Sequence, residues 1–412
     1  YLESVGARDA ALLAEHFERG GADSRAAIYY VRATEHAYDA NSLDGVLRYA
    51  ARGVVCGAAG EHLGALRALQ AWVWFWRGDL PQAIVAGTEA IQLLTAGSAH
   101  WFRATAFATT CAAALGKRDL VSELSLLLGT IAPTSDCVGT YVESAVLVLT
   151  MLGMIGDRDT AERYLFHIDR TATDRAASDS YVRGWMHYGM GRHASALQPM
   201  PGTAVVHYRI ALDSFREGGD RRMTAVTLGD LGLVVGCLGR TDDAETTFRE
   251  GLAIALTLAD VTTSVWIEMF YALSLAERTD PSSLREARRL AQGIVDRIGA
   301  QSYYSGFAAC ILSACDVAEG KMTEAEAASR RALAILKPLR SSAPIAYLSL
   351  GRTLLIAGRT AEAVEILAEG IALVDSLRGS GGSELPLRLL FCDALRSGGE
   401  MHRLRAAQRI LT

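Results

Sequence analysis

Hydrophobic and polar positions recur with a helical period along almost the whole chain, most clearly over residues 342–377. Apolar residues return every three or four positions on both sides of Gly358, while Arg359, Glu362 and Glu365 fall on the opposite face. Glycine commonly ends a helix because it adopts the left-handed conformation without steric cost. The pattern therefore predicts two amphipathic helices joined at Gly358.

The same pattern recurs along the sequence, each time with a glycine at the centre. Consecutive hinge glycines lie 38 or 40 residues apart, or about twice that distance, 83 and 81 residues. The hinges are Gly78, Gly116, Gly156, Gly239, Gly320, Gly358 and Gly398. The double steps predict one unit whose hinge is the run from Thr279 to Pro281 and another unit that carries an insertion. A fixed period of this length indicates a solenoid of stacked helix hairpins.

Small residues occupy fixed places relative to each hinge. The residue seven positions before it is small in Ala71, Thr109, Gly232, Ala272, Ser313 and Gly351, with Leu149 and Phe391 as exceptions. The residue five positions after it is alanine in Ala83, Ala161, Ala244, Ala325 and Ala363, with Val121 as the exception. Small side chains let helices approach closely, so we expect these positions to be packed helix crossings.

No segment shows sustained period-two alternation, so the sequence predicts an all-α chain that forms one solenoid over residues 1–412. Residues 1–57 form irregular N-terminal units, 58–377 the main repeats and 384–412 a capping unit with an arginine-rich polar face. A glycine- and serine-rich linker precedes that unit. An insertion at about 191–202, with Pro199 and Pro201, is expected to protrude as a loop, which either carries function or is merely tolerated.

Composition narrows the possible classes of function and the expected cellular location. Hydrophobic residues make up 50% of the 412 residues and charged ones 21%, as in ordered proteins, and the net charge of −5 argues against nucleic-acid binding. No apolar run approaches the ~18 residues of a membrane span. Seven cysteines without CxxC spacing indicate buried thiols in a reducing compartment, hence a cytoplasmic location. Because the chain starts at Tyr1 and enters a helical pattern almost at once, we expect it to be part of a longer protein.

Sequence motifs for catalysis are missing. The nine histidines form neither HExxH nor HxxxH, and no phosphate loop, kinase motif, GxSxG or GxGxxG occurs. The chain is therefore predicted to have no catalytic residues, cofactor or metal site. The aromatic run around Trp72, Trp74 and Trp76 is interpreted as packing within and between repeats.

The small residues around the hinge resemble the tetratricopeptide repeat, which has a small residue at the first helix's crossing point and alanines on the second helix. The resemblance covers nearly the whole chain, although each copy is degenerate. It implies a right-handed superhelical solenoid of about ten or eleven hairpins. The period of 38 to 41 residues exceeds the ~34 of the standard repeat and looks like the sensor solenoids of the maltose-regulon activator and related STAND ATPases.

The opening segments LLAEHFERGG, AAIYYVRATEHA and RYAARGVVCGA suggest a second resemblance. They are similar to the region that enters the C-terminal repeats of bacterial proteins joining a serine/threonine kinase to a STAND-type ATPase. That resemblance implies that any enzymatic modules precede this chain.

In tetratricopeptide repeats the concave surface is built from first-helix positions upstream of the hinge. Carried onto this chain, that rule implies a binding face made of Trp266, Met269, Leu273, Phe307, Cys310, Ile345, Leu348 and Arg352. Such a stripe suits an amphipathic helix or an extended peptide with an acidic group. The alternative is that tight winding buries the stripe against itself.

The function expected from these features is a non-catalytic binding or sensory region of a larger bacterial signalling protein. Its partner would be a protein or peptide, with a small-molecule effector as the other ligand class. A structural spacer or oligomerisation scaffold is the alternative, and an enzyme with a site spread across repeats is a third interpretation.

Overall fold

A computed structural model describes residues 9–40, 42–198, 200–258, 261–278, 280–299, 302–377 and 383–397. These residues form twenty α-helices and one π-helical turn, with no β-strand among them. The predicted all-α class is confirmed. The chain divides into two compact units, Tyr1–Met151 (unit 1) and Leu152–Thr412 (unit 2).

Helices of unit 1 are α1 (Ala10–Arg19), α2 (Asp23–Asp39), α3 (Leu43–Val55), α4 (Gly60–Trp76), α5 (Leu80–Leu93), α6 (Ala99–Ala114), α7 (Arg118–Thr130) and most of α8 (Val138–Ile155). Those of unit 2 are α9 (Arg158–Ala176), α10 (Ser180–Arg192), α11 (Pro201–Glu217), α12 (Arg221–Cys237), α13 (Thr241–Thr257), α14 (Val261–Ala276), α15 (Pro281–Ile298), α16 (Tyr303–Ala318), α17 (Met322–Leu336), α18 (Ala343–Ile356), α19 (Thr360–Ser376) and α20 (Glu384–Ser397).

Consecutive described helices pack as hairpins in both units: α2–α3, α4–α5 and α6–α7 in unit 1, and α10–α11, α12–α13, α14–α15, α16–α17 and α18–α19 in unit 2. First helices also pack on the first helices of neighbouring hairpins, as α2 on α4 and α4 on α6 in unit 1, and α12 on α14, α14 on α16 and α16 on α18 in unit 2. This arrangement agrees with the predicted solenoid. The partner expected for α20, over residues 400–411, lies outside the described residues.

The hinge glycines adopt the conformation that their role requires. Backbone φ is positive at Gly78, Gly116, Gly156, Gly239, Gly320 and Gly358, with values between 70° and 83°. A side chain at such φ angles is strained, so glycine is favoured there. Six predicted hinges are thereby confirmed, and the seventh, Gly398, lies outside the described residues.

One hairpin turns without glycine. The Asp280 carboxylate accepts hydrogen bonds from the backbone N–H groups of Ser282 and Ser283 at 3.1 and 2.9 Å, and Pro281 is the first residue of α15. An N-cap carboxylate and a proline at the first helical position together start a helix abruptly. The hinge predicted from Thr279 to Pro281 is confirmed for Asp280 and Pro281, while Thr279 is not described.

The predicted crossing positions are packed. The five alanines that follow a hinge by five residues are all 0% exposed: Ala83, Ala161, Ala244, Ala325 and Ala363. A Cβ added at Gly351 would overlap the Leu367 side chain, and one at Gly370 would lie 2.8 Å from Tyr347 Cβ. Small side chains therefore set how closely the two helices of a hairpin, and neighbouring hairpins, approach each other.

The aromatic run of α4 has the packing role assigned to it. Trp72 is buried and meets the Tyr38 ring edge to face at a centroid distance of 4.7 Å, which joins α4 to α2. Trp74, Phe75 and Trp76 pack half-buried around the same core.

The insertion between α10 and α11 differs from the prediction. The chain continues from α10 into a π-helical turn, His193–Leu197, instead of leaving the surface as a loop. His193, Ala194 and Leu197 are buried, and Leu197 lies over Gly153. The protruding loop was a wrong prediction over the described residues, because a π turn takes up extra residues inside a helix without breaking its hydrogen bonding.

We expect Ala363→Trp to destabilise the fold by about 1–3 kcal/mol or more, because the site has no room for a larger side chain. Gly351→Leu should behave in the same way. The matched control is Glu365→Trp on the exposed face of α19, which should change stability by about 0.5 kcal/mol or less. Chemical denaturation measures both, and equal midpoints for Ala363→Trp and wild type would contradict the packing described here.

Candidate binding site

All eight residues predicted for the binding face lie on first helices of unit 2. Trp266, Met269 and Leu273 are on α14, Phe307 and Cys310 on α16, and Ile345, Leu348 and Arg352 on α18. Their exposure is mixed. Trp266, Leu273, Ile345 and Leu348 are half-buried and Arg352 is exposed, whereas Phe307 and Cys310 are buried and Met269 is 0% exposed. Four of the eight residues are therefore apolar and partly accessible to solvent, whereas Met269 lies in the core.

Neighbouring first helices bring several of these residues together. The Cys310 Sγ lies 4.0 Å from the Ile345 carbonyl oxygen, which joins α16 to α18. Trp266 meets Tyr304 edge to face at a centroid distance of 6.5 Å, which joins α14 to the first turn of α16. Leu348, in contrast, packs against the core that α18 shares with α19 and α20. Contacts therefore run from Trp266 on α14 through α16 to Ile345 on α18, with the α16 members of the stripe, Phe307 and Cys310, buried.

A buried ion pair adjoins this stripe. The Arg192 guanidinium donates to the Asp230 carboxylate at 3.0 Å, and the Tyr188 hydroxyl donates to the other carboxylate oxygen at 2.8 Å. Arg192 is 8% exposed and Asp230 is 1% exposed. A buried charge is tolerated only with a close counter-charge, so each of these residues requires the other.

The guanidinium of Arg192 also stacks over the Trp266 ring, with 5.3 Å between its carbon and the ring centroid. Arg192 is on α10 and Trp266 on α14, so the contact spans the intervening first helix α12. Burial alone would lower the pKa of Arg192, but the Asp230 carboxylate and the neighbouring tyrosines together raise it. Arg192 therefore remains charged and holds three first helices together at the edge of the stripe.

Two titratable side chains lie at the hinge ends of the first helices, Cys237 at the end of α12 and Glu277 directly after α14. Glu277 and Cys237 are exposed, yet burial among surrounding protein groups raises the pKa of both side chains. The Arg352 charge opposes the shift at Glu277, and the Glu277 charge adds to the shift at Cys237. Glu277 therefore lies within electrostatic range of both Arg352 and Cys237.

Sequence reasoning missed the polar part of this site. Arg192 fell within the insertion that was expected to be a loop, and in the segment that contains Asp230 only Gly232 was singled out. One signal was available, since Asp230 is the only acidic residue of α12. An isolated carboxylate in an otherwise apolar helix needs a buried partner.

The described residues provide no group of side chains suited to a metal ion. Among the described residues no group of three or more histidine, cysteine, aspartate or glutamate side chains is placed to hold an ion. His187 and His207 do approach each other, with 2.9 Å between their Nδ1 atoms and 5.2 Å between ring centroids. The centroid distance exceeds the Nδ1 distance by 2.3 Å, about two ring radii, so the nitrogens point straight at each other. This is the geometry of one Nδ1–H donating to the other Nδ1, not of two ligands converging on a metal.

These features define a tetratricopeptide-like helical-repeat solenoid whose first helices in unit 2 carry both apolar and charged side chains. No protein-family model matches the chain, and no curated protein matches it. Solved structures do. The chain is similar to a Rap protein complexed with Competence and Sporulation Factor, at 15% sequence identity and a TM-score of 0.57, over 84% of this chain and 86% of that chain. It is also similar to the apo form of the quorum sensor NprR from B. thuringiensis, at 13% identity and a TM-score of 0.49, over 84% of this chain and 96% of that one. At these identities the similarity concerns the fold.

No described helix has both the length and the apolar composition to cross a membrane.

We expect Asp230→Asn to cost about 3–5 kcal/mol of unfolding free energy, because it leaves the Arg192 charge buried without a counter-charge. The matched control is Glu250→Gln, which removes the carboxylate that pairs with Arg216 at 2.5 Å on the exposed surface. That change should cost about 1 kcal/mol or less. Chemical denaturation compares the two, and similar losses would mean that Arg192 and Asp230 do not form the buried pair.

The histidine pair predicts a dependence on pH. Burial lowers the pKa of His187, and the nearby His207 and Arg183 charges lower it further; burial also lowers the pKa of His207. Because the folded pKa values lie below the unfolded value, the pair stabilises the fold above about pH 6.5, and this contribution is lost as pH falls through the folded values.

His187→Gln should therefore reduce the loss of stability between pH 7.5 and pH 5, measured by thermal unfolding. The control variant His62→Gln, at an exposed histidine, should leave that loss of stability unchanged. Identical pH profiles for wild type and His187→Gln would contradict the proposed proton sharing.

Proposed function

We propose that unit 2 binds a protein or peptide partner on the inner surface formed by α14, α16 and α18, and that the chain is the non-catalytic sensory region of a larger bacterial signalling protein. The observation that supports this most is that Trp266, Leu273 and Ile345, on first helices of unit 2, leave apolar surface half-exposed. Arg352, on the same helix as Ile345, is exposed. Apolar side chains left accessible on a surface of this kind are typical of a binding site.

The chemistry of the surface specifies the partner. Trp266 and Ile345 offer apolar contact to alternate side chains of a bound segment, and Arg352 offers a charge-assisted hydrogen bond to a carboxylate. The Arg352 charge acts on the Glu277 carboxylate, so a segment with an acidic and a basic residue in succession would complement both. We therefore propose an amphipathic helix or extended peptide with an acidic group next to its apolar residues.

The comparisons support binding rather than catalysis. The Rap protein of similar fold was solved in complex with Competence and Sporulation Factor, so a solenoid of this type carries a bound factor. The opening segments of the chain resemble the region that enters the repeats of kinase and STAND ATPase fusions, which is the basis for proposing a signalling context. All seven cysteines are free, which supports a cytoplasmic, reducing location.

Binding to an array of synthetic twelve-residue peptides tests this function directly. Wild-type chain should select peptides that combine apolar and acidic residues, and Trp266→Ala should weaken the selected peptides by about thirtyfold, corresponding to loss of a ~2 kcal/mol anchor. The control is Trp74→Ala, which removes a half-buried tryptophan in unit 1. Arg352→Glu should abolish the preference for acidic peptides, whereas Arg331→Glu on the exposed face of α17 should not.

If no peptide binds above background, or if Trp266→Ala binds as wild type does, the binding function is wrong. Sedimentation equilibrium then tests the alternative, since a structural scaffold that oligomerises would show self-association without any partner.

A further inference from the structure

Among the hinge glycines described above, Gly156 stands apart. Space beyond the glycine is open at Gly78, Gly116, Gly239, Gly320 and Gly358, where an added Cβ would have no neighbour within 4 Å. At Gly156 an added Cβ would overlap the Leu377 side chain and would lie 3.7 Å from Ser341 Oγ. The turn between α8 and α9 is therefore covered by residues about two hundred positions later in the chain.

A hydrogen bond accompanies this contact. The Ser341 hydroxyl donates to the Gly153 carbonyl oxygen at 2.5 Å, across 188 residues of sequence. Arg340, next to Ser341, donates to the Ser376 hydroxyl at 2.6 Å, and Ser376 precedes Leu377. The α17–α18 connection and the end of α19 are thus tied to each other and together cover the α8–α9 turn. We call this contact, made by Ser341 and Leu377 on Gly153 and Gly156, the latch.

The latch is adjacent to the candidate binding site. Ser342, the next residue after Ser341, lies close to Tyr303, the first residue of α16. Tyr303 in turn packs against Phe307 of the predicted stripe at a centroid distance of 4.9 Å. On the other side, Leu197 from the turn that follows Arg192 lies against Gly153. The latch therefore joins the α18 end of the stripe to the segment that carries the buried arginine.

We propose that the latch controls access to the inner surface of unit 2, a proposal that rests on the binding function above. When it is closed, the start of unit 2 is held against its α17–α19 corner, and the first helices between them stay close together. When the latch opens, the first helices α14, α16 and α18 can move apart. The surface that they form then becomes accessible to a partner. One neutral hydrogen bond and one leucine side chain are a small contact, so opening without global unfolding is energetically accessible.

Leu377→Ala tests the latch without any partner. In the free chain, amide hydrogen exchange should accelerate about tenfold or more at residues 152–157 and 339–343, while the open hinge at Gly320 should keep its wild-type rate. Alkylation by N-ethylmaleimide, followed by peptide mapping, should also accelerate at Cys310 in the stripe but not at Cys111 in the core of unit 1. Acceleration confined to residues 152–157 and 339–343, without a change at Cys310, would overturn the proposal, as would no acceleration at all.

A second pair of variants separates latch opening from general destabilisation. Gly156→Ala introduces backbone strain and also displaces Leu377, whereas Gly358→Ala introduces the same strain at a φ of 76° with open space around it. Only Gly156→Ala should accelerate exchange at residues 339–343. Equal effects of the two alanine variants there would mean that Leu377 does not hold the turn.

The binding consequence is measured with the peptide that the array selects. Leu377→Ala should increase its association rate constant severalfold, and an unchanged rate constant would overturn control of access by the latch. If the array selects no peptide, the binding function fails, while exchange and Cys310 alkylation still report whether the latch closes the inner surface. The two failures are therefore distinguishable.

Discussion

Close approach of helices at small residues is the constraint on which the rest of the structure depends. An alanine five residues after a hinge, as at Ala244, is fully buried, and a glycine seven before it, as at Gly232, lets a large side chain of the facing helix, Phe248, pack against its backbone. A larger side chain would separate the two helices and change the angle at which the next hairpin stacks. Because each hairpin contacts mainly its neighbours, an error at one crossing is propagated along the solenoid.

Fold and hinges could be predicted from the sequence because both follow from local sterics at fixed spacing. A positive φ at Gly358 requires only that residue and its neighbours, and the period of about forty residues repeats the requirement. The buried pair of Arg192 and Asp230 could not be predicted in the same way. Its residues lie 38 positions apart and meet only because neighbouring first helices converge. The expected loop failed for a related reason, since a π turn is chosen by the packing of Leu197 and not by local propensity.

Each unit uses an arginine to connect first helices that are not consecutive. In unit 1 the Arg103 guanidinium of α6 lies 4.7 Å from the centroid of the Tyr38 ring of α2, across α4. In unit 2 Arg192 of α10 lies over Trp266 of α14, across α12. A planar guanidinium can stack on a ring and still donate hydrogen bonds in its plane, which a lysine ammonium cannot do. Only three of the 41 basic residues are lysines, and these two positions show arginine chemistry that composition alone did not reveal.

The first helices of unit 2 are joined by a buried ion pair at one end and by neutral contacts at the other. The ion pair holds α10, α12 and α14 at fixed separation, because moving any of them would expose an unpaired charge to a poorly solvated interior. Beyond Trp266 the described contacts between α16 and α18 are neutral: the buried hydrogen bond between Ser313 Oγ and Thr353 Oγ1 at 3.2 Å, and the Cys310 Sγ contact with the Ile345 carbonyl oxygen at 4.0 Å. Separating a buried ion pair costs more than separating neutral contacts, so we expect the first helices to part at the α16–α18 end before the α10–α14 end. The α16–α18 end is where the apolar stripe reaches Arg352 and where the latch closes on Gly153.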